Sequence, residues 1–312
     1  MKRFKNILFI TDGSRGEKIV LARAARLAST NKAKLTLFDS IEAEEYRFTD
    51  SENDSLIQRL VKERLKARRE ELEILRKREL EKHPQMRIAL EVQTGNIARS
   101  AIRAVLMNHH DLVMKAPAGG IKRPRVLFGS TDQALMRKCP CPVWIVKPER
   151  KKYFRKILAA VDLNLNEPES EPLAKQIVSI ATSLAKQERS ELHVVHAWHL
   201  AGESKLRGRQ IYAAKVDKIL DEMRAACAGQ LQALLKPYPY DKLTVHLVKG
   251  RAAAIIPEAV EKLEIDLVVI GTVGRSGVSG ILIGNTAETV LNSVDCSVLT
   301  LKPEDFETPI KV

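Results

Sequence analysis

The sequence predicts an α/β protein made of two copies of one domain, each a mostly parallel five-stranded sheet with helices on both faces. Two observations carry this. The first is an internal repeat. FKNILFITD (4–12) matches FRKILAAVD (154–162), and Gly95-Asn96-Ile97-Ala98 matches Gly250-Arg251-Ala252-Ala253. Residues 110–114 match 265–269, and 141–148 match 296–303 with Cys141 opposite Cys296. A period this long marks a duplicated domain rather than a solenoid unit. The second is the alternation of short apolar runs with amphipathic stretches, the pattern of a parallel sheet covered by crossover helices. A chain of 312 residues accommodates about two domains, each large enough to bury a core. The charged stretch 149–152 separates them, giving domains 1–150 and 151–312.

Taken in order, the first half places strands at 6–11, 34–38, 87–92, 112–115 and 143–146. Helices follow at 17–29, with Ile19, Ala22, Leu27 and Ala28 facing inward, and at 55–82, 97–108 and from 130 onward. The 55–82 helix is densely charged. Leu60, Val61, Leu65, Leu72, Leu75 and Leu80 keep an apolar stripe on it. The second half repeats the plan with a longer, proline-bearing first loop, LNLNEPESEP.

The stretch 265–295 carries the most chemistry. A buried-strand run at 267–270 leads into a loop with Gly271, Gly274, Gly277, Gly280 and Gly284. Asn285-Thr286-Ala287-Glu288 then opens a helix, with Asn285 as N-cap and Glu288 placed for a capping box. Strand, glycine loop and helix N-terminus in that order suit phosphate groups, because glycines let backbone N–H groups turn inward and the helix end adds unpaired donors. The plainer alternative is that the glycines only shape a tight strand-to-helix turn.

The spacing Gly271, two residues, Gly274, nine residues, Gly284 and a small polar residue resembles the nucleotide-binding loop of universal stress proteins. The strings DLVMK (111–115), TDQALMRKCPCPVWIVK (131–147), GTVGRSGVSGILIGNTAE (271–288) and the tail 303–309 resemble the tandem E-type subgroup, and the resemblance covers the whole chain. It implies two Rossmann-like domains of the adenine nucleotide alpha hydrolase-like kind, and ATP, with Mg²⁺, bound between the glycine loop and the first strand. By the same resemblance Gly271, Gly274, Gly284, Asn285 and Thr286 hold phosphates, and Asp162 contacts the nucleoside. Asp12 is the matching residue of the first half. For both aspartates the alternative is an Asx cap of the following turn. The family's Ser or Thr after the last glycine is here Asn285.

The first half is the weaker candidate. Aligning Gly129 with Gly284 sets Ala116 opposite Gly271 and Gly119 opposite Gly274. Gly129-Ser130 keeps the family ending, but Pro117 and Pro124 remove two backbone donors. Ser130 with Gln133 also forms a capping box, a purely structural role.

Other features narrow the function class. The chain has no apolar run long enough for a membrane helix, and the N-terminus reads as a strand rather than a secretory signal. Cys139, Cys141, Cys227 and Cys296 have no metal-site spacing, and Cys139-Pro140-Cys141 is too close for an easy disulfide. Free thiols in a cytoplasmic protein are expected. His193, His196 and His199 alternate across a strand and cannot converge on a metal, although His196 falls near the base-side end of the cleft. His109-His110 is expected at the surface, and Trp144 and Trp198 in packing. No Ser-His-Asp set, P-loop lysine motif or HExxH occurs, so no catalytic residue is nominated.

Of the 52 Lys/Arg and 39 Asp/Glu, 31 and 19 lie in residues 1–150, a net of +12; the rest of the chain is near neutral at +1. The excess reads either as a solvated helix face with i,i+4 pairs or as weak steering toward nucleic acid, anionic lipid or an acidic partner. With 4% aromatics, a single-strand-binding platform is disfavoured.

The resemblance further implies that 143–146 and 298–301 make a dimer-like contact between the halves, a pseudo-dimer. It implies a ligand-binding, non-enzymatic role in survival under stress, including DNA damage and oxidation. Three alternatives stay open: a weak ATPase, an apolar or lipid-like ligand in a degenerate site, and a basic scaffold for nucleic acid or protein.

Overall fold

The computed structural model describes residues 4–13, 16–42, 54–117, 128–149, 153–163, 170–208, 213–272 and 284–311. The chain forms two compact units. One contains the described residues up to 149 together with 305–311; the other contains those of 153–272 and 284–304. The C-terminal stretch is tied to the first unit by the Arg103 Nε–H donating to the Lys311 carbonyl at 3.2 Å.

In the first unit the order is β1 (Asn6–Ile10), α1 (Glu17–Asn31), β2 (Lys34–Ile41), α2 (Asp54–Lys82), β3 (Arg87–Thr94), α3 (Ile97–Asn108), β4 (Leu112–Lys115), α4 (Ser130–Lys138) and β5 (Val143–Ile145). Its strands pair in the order β3-β2-β1-β4-β5, all parallel. The second unit runs β6 (Lys156–Ala160), α5 (Ser170–Glu188), β7 (Glu191–Trp198), α6 (Glu203–Arg207), α7 (Ala213–Leu235), β8 (Leu243–Lys249), α8 (Ala252–Lys262), β9 (Leu267–Gly271), α9 (Asn285–Ser293) and β10 (Ser297–Leu301). It repeats the order as β8-β7-β6-β9-β10, again all parallel. In both, the strand order reverses direction after the first three strands. Right-handed crossovers then put the early helices on one face and the late helices on the other.

The repeat extends to backbone detail. Non-glycine residues with positive φ come in matched pairs, Lys32 with Arg189 and His109 with Glu264, each ending a helix just before a strand. Gly95 and Gly250 have φ of +131° and +151°. A Cβ there would stand 2.9 Å from Ser100 Oγ and from Ile255 Cδ1 respectively. Only glycine meets both demands. The aspartate before each fourth strand also recurs. Asp111 accepts the N–H groups of Lys5 and Asn6 at 2.6 and 2.9 Å, and Asp266 those of Arg155 and Lys156 at 2.6 and 3.0 Å. Each carboxylate pins the start of the first strand beside the fourth, where the ladder has not yet begun.

The core follows the sheet. β1, β4, β6, β9 and β10 are buried along nearly their whole length, as expected of strands covered on both faces. Trp144 and Trp198 are both buried. Three expectations need correction. Ile19 is 41% exposed, because α1 turns Val20, Leu21, Ala24 and Ala25 inward instead. Leu60 is 43% exposed while Leu72 is fully buried, so the α2 stripe runs through the latter. His110, expected at the surface, is 4% exposed.

Burial holds the His110 imidazole down to about 4, with Lys34 adding to the effect and a backbone contact with Asn6 opposing it. Its folded value lies below the ordinary one, so this contribution is full above pH 6.5 and is lost as pH falls through about 4. We expect urea unfolding to show about 2 kcal/mol less stability from this group at pH 4 than at pH 7, after allowance for solvent screening. His110→Gln should remove that part of the slope. A second pair of variants checks the backbone argument. Gly250→Ala should cost on the order of 1–3 kcal/mol. Gly229→Ala, in α7 where an added Cβ meets nothing within 4 Å, should gain about 0.5–1 kcal/mol.

Candidate functional site

Ligands of open α/β sheets sit at the carboxyl ends of the strands, where the strand order reverses. In each unit that place lies between the first and fourth strands, and the sheet register fixes which residues meet there. Ile10 pairs with Lys115 and Phe38; Ala160 pairs with Ile270 and Val195. Asp12 and Asp162 therefore occupy the same position in the two halves, as do Lys115 and Ile270, and Asp39 and His196.

In the second unit, β9 ends at Gly271 and α9 begins after Gly284. The helix N-cap is Gly284, not Asn285. The Glu288 N–H already donates to the Gly284 carbonyl at 2.9 Å, closing the first turn one residue earlier than the sequence suggests. Gly284 itself donates to the Thr272 carbonyl at 2.9 Å. The N–H groups of Asn285, Thr286 and Ala287 have no carbonyl a turn earlier to bond within the helix, and Asn285 and Thr286 are exposed. Gly271 has a packing reason as well: a Cβ there would lie 2.7 Å from Leu173 Cδ2 of α5. Behind this edge, the Lys302 ammonium is buried and donates to Thr272 Oγ1 at 2.9 Å. Asp162 is exposed at the end of β6. His196 is buried, with Nδ1 3.1 Å from the Val161 carbonyl oxygen. Gly274 lies outside the described residues.

The first unit is built differently at the same place. Lys115 is 1% exposed. Its ammonium lies 2.7 Å from Asp12 Oδ2 and 3.2 Å from Asp132 Oδ1, and donates to the Ala116 carbonyl at 2.8 Å. Asp132, fully buried, accepts the Gly129 N–H on its other oxygen at 2.9 Å. Gly129 is thus the N-cap of α4 and Ser130 its first, exposed residue; in place of the box expected from Ser130 and Gln133, only Asp132 reaches back to the N-cap N–H, since glycine has no side chain to complete a box. Glu17 turns back from α1 and accepts the N–H groups of Asp12 and Gly13 at 2.8 and 2.5 Å. Burial pushes its carboxyl up, against the pull of those two bonds. Asp39 pairs with Arg68, which α2 projects from its inward stripe, and burial raises the Asp39 carboxyl in turn. Gly119 lies outside the described residues.

Sequence reading missed Lys115, Asp132, Glu17 and Arg68. The one available signal was a lysine ending an otherwise apolar strand, at a position that is isoleucine in the repeat. The histidines do not converge. His193 Nδ1 lies 3.0 Å from His246 Nε2 across β7 and β8, while His196 bonds the first strand. Among the described residues no group of three or more His, Cys, Asp or Glu is placed to hold a metal. All four cysteines are free, with the Cys139 and Cys141 sulfurs 3.6 Å apart.

Removing one member of a buried charge cluster leaves the others without compensation. Lys115→Ala should therefore destabilise the protein by about 3–5 kcal/mol in chemical denaturation. Lys115→Ile combined with Asp132→Ala, which removes both charges, should recover more than half of that loss.

Comparisons with known proteins agree with this architecture. The model of the universal stress protein family matches residues 3–147 and again 153–302. Universal stress protein E of Salmonella typhi is 30% identical, with 100% of this chain and 98% of that protein covered. The Haemophilus influenzae homologue of universal stress protein E is 28% identical, covering 96% and 98%. Among solved structures, a protein of unknown function from Pseudomonas aeruginosa PAO1 is 27% identical with a TM-score of 0.69, over 97% of this chain and 94% of that one. A universal stress protein from Archaeoglobus fulgidus shares the fold at 18% identity, with a TM-score of 0.62 over 96% and 98%. Two domain matches, relatives aligned end to end and the doubled parallel sheet lead to one conclusion: the chain belongs to the universal stress protein family.

Proposed function

We propose that this protein is a ligand-binding member of its family, and that the ligand is an adenine nucleotide held by the second half. The observation that carries the reading is the exposed N-terminus of α9 at the carboxyl end of β9, with Asp162 exposed at the end of the neighbouring strand β6. The N–H groups of the first turn of α9, which have no acceptor within the helix, and the helix dipole favour phosphate. Gly271 and Gly284 shape the approach, Gly274 is assigned to the same loop by its spacing in the sequence, and Asp162 is the acceptor for ribose or base. Thr286 supplies a hydroxyl one residue later than the family's usual position.

The chain's residues bind and orient in this reading; none is assigned a chemical step. Mg²⁺ would accompany the phosphates. The described helices include none long and apolar enough to cross a membrane, and the four free thiols support a cytoplasmic setting. The role in stress survival follows from the family, with the nucleotide as the signal or the cargo.

Equilibrium dialysis of the full-length protein against labelled MgATP tests this. About one nucleotide per chain is expected, and Gly284→Val should reduce the affinity at least tenfold while leaving the melting curve cooperative. No saturable binding at millimolar MgATP would overturn the reading. Release of a fatty or lipid-like species on denaturation, seen by mass spectrometry, would replace it with the apolar-ligand alternative.

A further inference from the structure

The two clefts occupy equivalent positions but carry different charge. Around the first cleft stand four carboxylates, Asp12, Glu17, Asp39 and Asp132, against two cations, Lys115 and Arg68. A domain with a net charge of +12 thus carries an excess of acid at the strand ends where an anionic ligand would sit. The second half keeps the first-strand aspartate as Asp162, but it is uncharged at the positions matching Lys115, Asp132 and Glu17. Lys115 corresponds to Ile270 by sheet register. Asp132 corresponds to Ala287, each three residues after the N-cap glycine. Glu17 corresponds to Ala174, each fifteen residues before the positive-φ residue, Lys32 or Arg189, that ends its helix.

The charged side chains also use the groups that a phosphate would use. Asp132 takes the Gly129 N–H at the start of α4, whereas the Gly284 N–H goes to the Thr272 carbonyl, and Ala287 stands where Asp132 does. Glu17 takes both N–H groups of the turn after β1. Lys115, the one buried cation at the end of β4 among the described residues, donates to Asp12 and to the Ala116 carbonyl and lies against the Asp132 carboxylate as an ion pair. A triphosphate entering here would have to displace buried carboxylates from their donors or lie against them, and close like charges in a partly desolvated site repel strongly.

We propose that Glu17, Lys115 and Asp132 act as an internal substitute for ligand, closing the first cleft to nucleotides, so that these three positions decide which half binds. This rests on the second-half reading only for the identity of the probe; the closure of the first cleft stands on its own geometry. It also differs in kind from the loss of glycines in the first loop. Restoring glycines alone would leave the carboxylates in place.

The test is photolabelling of the full-length protein with azido-ATP, competed with ATP, followed by mapping the labelled peptides to residues 1–150 or 151–312. In the wild type, competed label is expected only beyond residue 150. The variant Glu17→Ala/Lys115→Ile/Asp132→Ala carries the second half's own residues and removes the buried charges together. It should gain competed label in residues 1–150, at least fivefold above wild type. Competed label in residues 1–150 of the wild type would overturn the proposal. So would a triple variant with a native circular dichroism spectrum and cooperative melt that gains none. If the wild type labels neither half but the triple variant labels the first, the second-half reading fails and the closure stands. Should the triple variant not fold, the reciprocal change Ile270→Lys/Ala287→Asp decides. Loss of at least nine-tenths of the second-half label supports the proposal, and full retention overturns it.

Discussion

The register between the first and fourth strands of each half is the constraint on which the rest depends. It is held at the amino end by Asp111 and Asp266, whose carboxylates take the first N–H groups of β1 and β6 before the parallel ladder begins. Because parallel strands bond with even spacing, fixing one end fixes the other. Four residues on, the same register pairs Ile10 with Lys115 and Ala160 with Ile270, and Asp12 and Asp162 follow two residues later at the strand ends. The clefts are therefore products of a clamp at the opposite end of the sheet, and the residues that fill them act on a frame already set.

Duplication of a domain in one chain frees one copy from its original task. The frame has been retained in both copies down to the positive-φ residues and the glycines at 95 and 250. The strand ends have diverged. In the first half the Lys115 ammonium and the Asp132 carboxylate are buried together, an arrangement that is costly to break by removing one partner. A buried cluster of this kind contributes less to stability than a well-packed apolar one of equal volume. Through Asp12 the network ties α1 to β4 and α4: Glu17 takes the Asp12 N–H, and Lys115 lies against both the Asp12 and Asp132 carboxylates. The second half has apolar packing at those positions, with Leu173 seated against Gly271, and keeps an exposed helix N-terminus.

Much of the fold was legible because period and repeat reinforce each other. The strand at 267–270 and its repeat counterpart at 112–115 announce themselves as largely apolar runs, and Gly95 and Gly250 as matched positions of the repeat. Boundaries at helix starts were less legible. Asn285 and Ser130 both look like N-caps, yet the glycine before each takes that place, because its carbonyl is already aligned to accept the first intrahelical bond. Composition could not foresee that His110 would be buried or that α2 would turn Arg68 toward Asp39.

The sequence by itself determined the duplicated, mostly parallel α/β architecture and the order of strand, glycine loop and helix at 267–293. These are local or repeating signals, set by side-chain periodicity and by the backbone freedom of glycine. Only the tertiary structure decided that Lys115, Asp12, Asp132 and Glu17 meet. They are separated by up to 120 residues, and nothing in a linear pattern distinguishes a lysine that ends a strand in solvent from one that ends it among carboxylates. That difference is made by which helices begin at the same strand ends, a property of packing in three dimensions.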